Sequence, residues 1–539
     1  MLRVTVIGAG LAGLAASLEL ARSGVGVRLV SVQHSERAQS VMAAGGINAA
    51  LDLSGEHDSW QEHYEDTLRA GVWLADANAV WGLAREAPAI VRELDALGVP
   101  FNHEGGKMVQ RYFGGQKKKR TAFAKSSTGK LLVSALVDAV RAFEQAGLVE
   151  RMAHHELVGL DIRDGRCRGA WVQDSRGADT SFFGGPVILA AGGMGGLFGS
   201  VTTGSAANTG DVAALALASG VELANLEFIQ YHPTTIPLPD KHLLVSEAAR
   251  GEGGRLMALR DGKSWYFMEE RFPEMGNLMP RDVVSREEAA VMADPACTGQ
   301  IWLDMRQLSR EVWRNRLSDL RDEIRHYLGI DAAKEPVPIE PGIHYCMGGL
   351  FVDEHHRCSV SGLWAAGECA CQYHGANRLG GNSLLGAIYG GKVAARDVAS
   401  MAGDKSAEPA SPPPRTAALV EPSTKFIVAD NPISRELEHI LASCLGISRT
   451  GEELETGAHA LEELLCRDCS GRMKARIELG RAMVLSALAR EESRGAHMRR
   501  DFPERDERFL RTTIACMSEG EPSVSFRPLP EAREGVGVA

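Results

Sequence analysis

The chain has 539 residues, 44% of them hydrophobic and 24% charged, enough to bury large cores and to divide into several domains. Its net charge of −11 argues against a nucleic-acid groove and against a polybasic membrane anchor. Ten scattered cysteines form no disulfide framework and suit a reducing, cytoplasmic compartment.

The first element is the strand Val4-Thr-Val-Ile7, which runs straight into Gly8-Ala-Gly10-Leu-Ala-Gly13. A helix follows with Leu11, Leu14, Ala15 and Leu18 on one face and Gly24 beyond its end, then a second strand over 27–32. A structured start leaves no secretory leader before it. The three glycines have separate duties: a tight turn, close backbone approach to a pyrophosphate, and helix–strand packing, with the helix N-terminus facing the phosphates. The second strand ends at Ser31-Val-Gln33 with no acidic residue for a ribose, so this motif alone leaves FAD and NAD both open.

Further on, Gln116-Lys-Lys-Lys-Arg120 reads as a solvated loop, or as a contact for an acidic partner. Val187-Ile-Leu-Ala-Ala191-Gly192 and Leu363-Trp-Ala-Ala-Gly367-Glu368 are two more apolar strands entering glycine. Three such turns in one long chain suit a dinucleotide lying extended across a sheet, as FAD does. From the start to about residue 400 strands and helices alternate as in a doubly wound α/β domain, except over 231–341, where the rhythm breaks as if a domain were inserted. A Pro-rich linker is expected over 401–430, a helical region over 431–500 and a charged tail over 501–539. Cys466-Arg-Asp-Cys469 has no second ligand pair at metal spacing and reads as two thiols on a helix; no metal site is expected. No apolar run reaches the roughly 20 residues that span a bilayer, so any membrane work would go through partner subunits.

The ordered motifs Ala43-Ala-Gly-Gly46, Phe113-Gly-Gly115, Gln230-Tyr-His-Pro-Thr234, Ser246-Glu-Ala-Ala-Arg250-Gly-Glu-Gly-Gly254 and Pro280-Arg-Asp282 carry a family likeness. It continues through His344-Tyr-Cys-Met-Gly-Gly349, Gly367-Glu368, His374-Gly-Ala-Asn-Arg378-Leu-Gly-Gly-Asn-Ser383 and Glu492-Ser-Arg-Gly-Ala-His497. Over nearly its whole length the chain resembles the flavoprotein subunits of succinate dehydrogenase and fumarate reductase, with L-aspartate oxidase as a soluble relative. The resemblance implies an α/β, Rossmann-like FAD-binding domain (1–230 and 342–400) interrupted by an α+β capping domain (231–341) and followed by a C-terminal helical domain. It also accounts for Ser31, since the family has serine there, and favours FAD.

By the same resemblance, FAD would be held by Gly8, Ala9, Gly10, Ala12, Gly13, Ser31, Gln39, Ser40, Gly45, Gly46, Ala191, Gly192, Asp211, Glu368, Arg378, Ser383 and Leu384. His344 and Arg378 would clamp one carboxylate of a C4 dicarboxylate, His232 and Ser246 the other. Arg281 would donate the proton, fed through Glu247 and Arg250. Two departures are informative. Gln39 stands where membrane-bound members carry a flavin-linked histidine, which implies non-covalent FAD and a lean toward fumarate reduction. Phe113 stands where L-aspartate oxidases carry a glutamate for the substrate ammonium, which favours an unsubstituted dicarboxylate. Cys346 replaces the usual threonine, without a mechanistic account. The implied partners are an iron–sulfur subunit and, through it, the cytoplasmic face of the inner membrane. L-aspartate oxidase and a non-catalytic electron-transfer or assembly flavoprotein stand as the alternatives.

Overall fold

Alternating apolar residues build the centre of the molecule. Arg3–Ile7 pairs in parallel with Gly26–Ser31 on one side and Val187–Leu189 on the other. Val149–Ala153 and Leu363–Ala365 complete a five-stranded parallel sheet, in the order Leu363–Ala365, Val187–Leu189, Arg3–Ile7, Gly26–Ser31, Val149–Ala153. This computed structural model describes residues 3–125, 127–174, 179–401 and 431–533. Because the strands run parallel, the turns at Gly8, Gly192 and Gly367 open on one edge of the sheet, where open α/β sheets bind their ligands.

The helix Leu11–Arg22 covers the central strands and is buried along almost all its length. Its closeness depends on missing side chains. A Cβ on Gly8 (φ +109) would fall 2.1 Å from the Ala190 carbonyl oxygen, and one on Gly13 would fall 1.8 Å from that of Gly8. At the neighbouring helix Asn382–Met401, a Cβ on Gly391 would meet the Ala12 carbonyl oxygen at 2.3 Å.

A six-stranded antiparallel sheet stands over this edge, in the order His242–Leu244, Ile229–Pro237, Val337–Cys346, Cys297–Asp304, Arg255–Arg260, Lys263–Trp265. It has an apolar core of its own, including Leu256, Phe267, Val284, Ile301, Trp313 and Val337. Its second and third strands, Ile229–Pro237 and Val337–Cys346, cross the expected borders at 230/231 and 341/342 by a few residues. Those strands carry His232 and His344, and register shifts between Gln230 and Tyr231 and between His232 and Thr235 re-aim the first of them.

Three helices, Asn431–Cys444, Gly451–Leu465 and Gly471–Ala489, pack against Phe198, Leu226 and Ile229, so this region shares a core with the rest. Thr450 and Glu453 form a capping box at the start of the second helix. Buried Arg490 ties it down further, through Glu227 at 2.7 Å and Glu492 at 2.9 Å.

Three expectations need correction. The stretch from 501 is not a tail: Arg511–Ser518 and Glu521–Pro528 form a hairpin added to the strand Leu223–Ala224. The Thr-Thr-Ile-Ala alternation and the turn at Glu519 and Gly520, both at positive φ, account for it. Gln116–Arg120 is a solvated loop only in its middle, where Lys117 is exposed and Lys118 and Lys119 are half-buried; both ends are buried. Arg120 is fully buried between Asp58 and Asp66, at 2.9 and 3.0 Å, and Gln116 donates to Asn48 Oδ1 at 2.8 Å. Cys466 and Cys469 lie just past a helix end, not on the helix. The expected linker falls outside the described residues, apart from Met401. Among the described residues no helix is long and apolar enough to cross a membrane, and no group of three or more His, Cys, Asp or Glu is arranged for a metal.

Candidate active site

A cavity of about 660 Å³ runs from the glycine edge of the parallel sheet to the underside of the antiparallel one. Every residue expected at the cofactor borders it except Gly13, which packs behind the turn. Gly10 faces the cavity, a Cβ there meeting nothing closer than Ser40 Oγ at 3.2 Å. The first turn of Leu11–Arg22 has no side-chain cap except Ser40 Oγ, which accepts from the Leu11 N–H at 3.2 Å. A helix end left open beside glycines is a seat for phosphate. Along the wall, Gln39 Oε1 accepts from the Ser205 N–H at 2.6 Å and Ser31 Oγ donates to the Gln33 carbonyl at 2.7 Å. Burial works to raise the Asp211 carboxyl, but Arg476 and Arg472 hold it down to about 2. Desolvation pushes Glu368 up to about 7, against the Cys346 N–H it accepts at 3.2 Å.

The other end of the cavity is cationic. Glu247 and Arg250 come from one turn of helix after Ser246, and Arg281 opens the helix Arg281–Met292. Glu247 Oε2 accepts from Arg281 Nη2 at 2.7 Å and Nε at 3.1 Å, while its Oε1 accepts from Arg250 Nη2 at 2.9 Å. Burial works against that carboxylate, but the two guanidiniums hold it below its usual range. Arg250 does not reach the cavity; it stands behind Glu247 and donates to the Asn277 carbonyl at 2.6 Å. Gln230 Oε1 accepts from both Arg281 Nη1 and Arg378 Nη2, each at 3.0 Å. Arg378 lies over the Tyr345 ring, 4.3 Å from its centroid, and its Nε has no hydrogen-bond partner among the described residues. Burial, and then Arg281, lower the Arg378 guanidinium to about 9, still charged at neutral pH.

His232 and His344 meet edge to face, ring centroids 5.0 Å apart. His344 Nδ1 pairs with Thr203 Oγ1 at 2.8 Å, and His232 Nδ1 lies 3.2 Å from the Thr234 amide. Desolvation, then Arg281, hold both imidazoles well below the ordinary histidine value, so both are neutral. Ser246 and Phe113 complete the wall, the Phe113 ring crowding Gly45 and Gly380.

An FAD binding domain family matches residues 3–384 and a fumarate reductase flavoprotein C-terminal family matches 469–533. The succinate dehydrogenase flavoprotein subunit of Bacillus subtilis is 39% identical over 95% of this chain and 93% of its own. The chain belongs to the succinate dehydrogenase and fumarate reductase flavoprotein family. As a member it is a flavin-dependent oxidoreductase with FAD as cofactor. The fumarate reductase flavoprotein subunit of Mycobacterium tuberculosis is 32% identical over 98% of this chain and 97% of its own. L-aspartate oxidase of Streptomyces coelicolor is 36% identical over 95% and 90%. A quinol fumarate reductase chain of E. coli superposes over all of both chains with a TM-score of 0.86 at 28% identity.

Several residues of this flavoprotein's site escape a sequence reading. Gln230 shares a strand face with His232, two residues on, but its place between Arg281 and Arg378 shows only in the fold. Thr203 and the Arg472/Arg476 pair approach from distant segments, and nothing in their local sequence marks them; Tyr345 lies in the motif that begins at His344, but its stacking under Arg378 shows only in the fold.

Proposed function

We propose that this flavoprotein interconverts fumarate and succinate, with a lean toward fumarate reduction. Support comes from the charge where the cavity meets the antiparallel sheet: Arg281 and Arg378 line it with Glu247, and with Arg250 behind Glu247 three arginines against one glutamate leave two positive charges beside two neutral histidines. That balance matches a dianion and leaves no anion for an added ammonium, because Glu247 is already committed to two guanidiniums. Arg378 has an open Nε and shares its side of the cavity with His344; His232 and Ser246 would take the other carboxylate. The flavin, once bound and reduced, would supply the electron pair, as hydride, for one alkene carbon. Arg281 holds the proton for the other carbon, and a guanidinium, ordinarily always charged, can yield it only if refilled at once. Glu247, bonded to both arginines, is placed to pass that charge on from Arg250.

The Streptomyces coelicolor relative keeps L-aspartate oxidase as a second reading, since overall identity does not separate the two activities. Phe113 favours the dicarboxylate: a ring at the cavity wall gives an ammonium no anionic partner. With a reduced viologen dye as donor, the protein should convert fumarate to succinate. Fumarate left intact while L-aspartate is oxidised would favour the second reading.

The FAD is non-covalent in this proposal, because the Gln39 amide cannot form the flavin bond and is held by Ser205. Acid precipitation should release all the flavin; flavin fluorescence on the denatured band would contradict this. Electrons would come from an iron–sulfur subunit, which would also hold the chain at the cytoplasmic face of the membrane.

A further inference from the structure

Two turns beyond Arg281, on the same face of the helix Arg281–Met292, lies a glutamate that the mechanism above does not use. Glu288 is fully buried. Neither of its carboxyl oxygens has a hydrogen-bond partner among the described residues, and neither has the Nε of Arg250. Buried polar atoms are nearly always paired, so two orphan groups at the back of one site point to a purpose. A carboxylate there would face a large desolvation cost, whereas a neutral acid would not. Burial accordingly raises the Glu288 carboxyl well above its ordinary value, and among the described residues the Arg250 guanidinium opposes this.

Other ionisable groups on the packed elements are engaged elsewhere. On the adjoining strands Asp304 is held by Arg306 and Tyr266, Glu340 faces His242 at 3.2 Å, and the Tyr231 hydroxyl donates to the Leu445 carbonyl. His232 and His344 face the cavity. On its own helix Arg281 is bound to Glu247, and Asp282 lies 3.7 Å from Arg286.

We propose that Glu288 is the proton reservoir of the arginine relay. It rests on the fumarate reading and extends it by one residue. In the step, the Arg281 N–H bond breaks as the new C–H bond of succinate forms. Arg281 regains its proton from Arg250 through the Glu247 carboxylate, and Arg250 regains its own from the Glu288 O–H. The cycle leaves Glu288 as a carboxylate near a charged Arg250, and once the product has left it is reloaded by the reverse route, from solvent in the cavity through Arg281, Glu247 and Arg250. No electrons move in this leg. Glu288 touches neither substrate nor cofactor, so its role is exerted through Arg250.

Glu288→Gln keeps the shape and neutrality of the acid and removes only its proton. In the FAD-loaded full chain, fumarate reduction should fall about tenfold in kcat with KM unchanged. The solvent deuterium isotope effect should rise, and the loss of kcat toward alkaline pH should flatten. Glu288→Asp should recover part of the rate. An infrared difference spectrum should show a protonated carboxyl band that Glu288→Gln removes. Unchanged kcat, pH profile and isotope effect in Glu288→Gln would overturn the proposal, as would a loss of rate that only tracks lost FAD. A wild-type protein that leaves fumarate intact would instead overturn the substrate reading, and this role with it.

Discussion

In the proposed mechanism the chemistry of the site concentrates at Arg281. Its guanidinium is fixed on three sides, by two bonds to Glu247 and one to Gln230, so only a small part of it can face a substrate. Lysine keeps the charge but cannot make that fork. Arg281→Lys should therefore lower fumarate turnover by about a hundredfold or more while FAD stays bound. Steady-state rates with flavin content measured alongside will check this; unchanged turnover would remove Arg281 from the mechanism. Much at this scale was legible in the sequence because the motifs come as tight runs: Ser246, Glu247 and Arg250 lie within five residues. Gln230 between the two arginines, and Glu288 behind Arg250, were not. Their roles arise only when distant segments meet, and a glutamine or glutamate in a strand or helix carries no mark of that.

At the level of elements, the strand–turn–helix at the N-terminus was the most readable part, since the turn admits only glycine at two points. Gly13→Ala would push a methyl group into the Gly8 carbonyl, which lies 1.8 Å from the Cβ position. The backbone must then shift, at a cost of about 1–3 kcal/mol, and the shift displaces the turn that faces the cavity. We expect the variant to be purified with much less flavin, read from its absorbance ratio; full flavin content at unchanged stability would contradict this. The C-terminal hairpin was the least readable element. Its strands are flanked by charged residues and add to a two-residue strand from the middle of the chain, a pairing that local pattern does not reveal. The Gln116–Arg120 run misled for the opposite reason. Five polar residues look solvated until Asp58 and Asp66 arrive from elsewhere to bury one end.

Over the whole molecule, six histidines are held neutral by desolvation: His63 at about 3, His356 at about 4, and His232, His344, His374 and His497 well below the ordinary value. Below pH of about 6.5 the unfolded chain takes up protons at these positions and the folded chain does not, so stability falls as pH falls. Each contributes up to about 1.4 kcal/mol per pH unit. Glu288, raised well above its ordinary value, and Glu368, at about 7, work the other way, because folded they hold protons that the unfolded chain has lost. Asp58, Asp76, Asp282, Glu323 and Glu478 are raised as well and add to these two, but the histidines, with ordinary values near 6.5, take up their protons inside this window and set the sign. The urea midpoint should therefore drop between pH 7 and 5; a rise would show that the raised carboxyls dominate.

The family is fixed by whole-length similarity, but its members in this comparison include both dicarboxylate and L-aspartate enzymes, so the substrate rests on the cavity. The most direct measurement is anaerobic: reduce the FAD-loaded protein, add fumarate, and follow the flavin absorbance. We predict prompt return of the oxidised spectrum with one succinate formed per flavin. A flavin that stays reduced with fumarate, in a protein whose oxidised form is bleached by L-aspartate, would contradict the account.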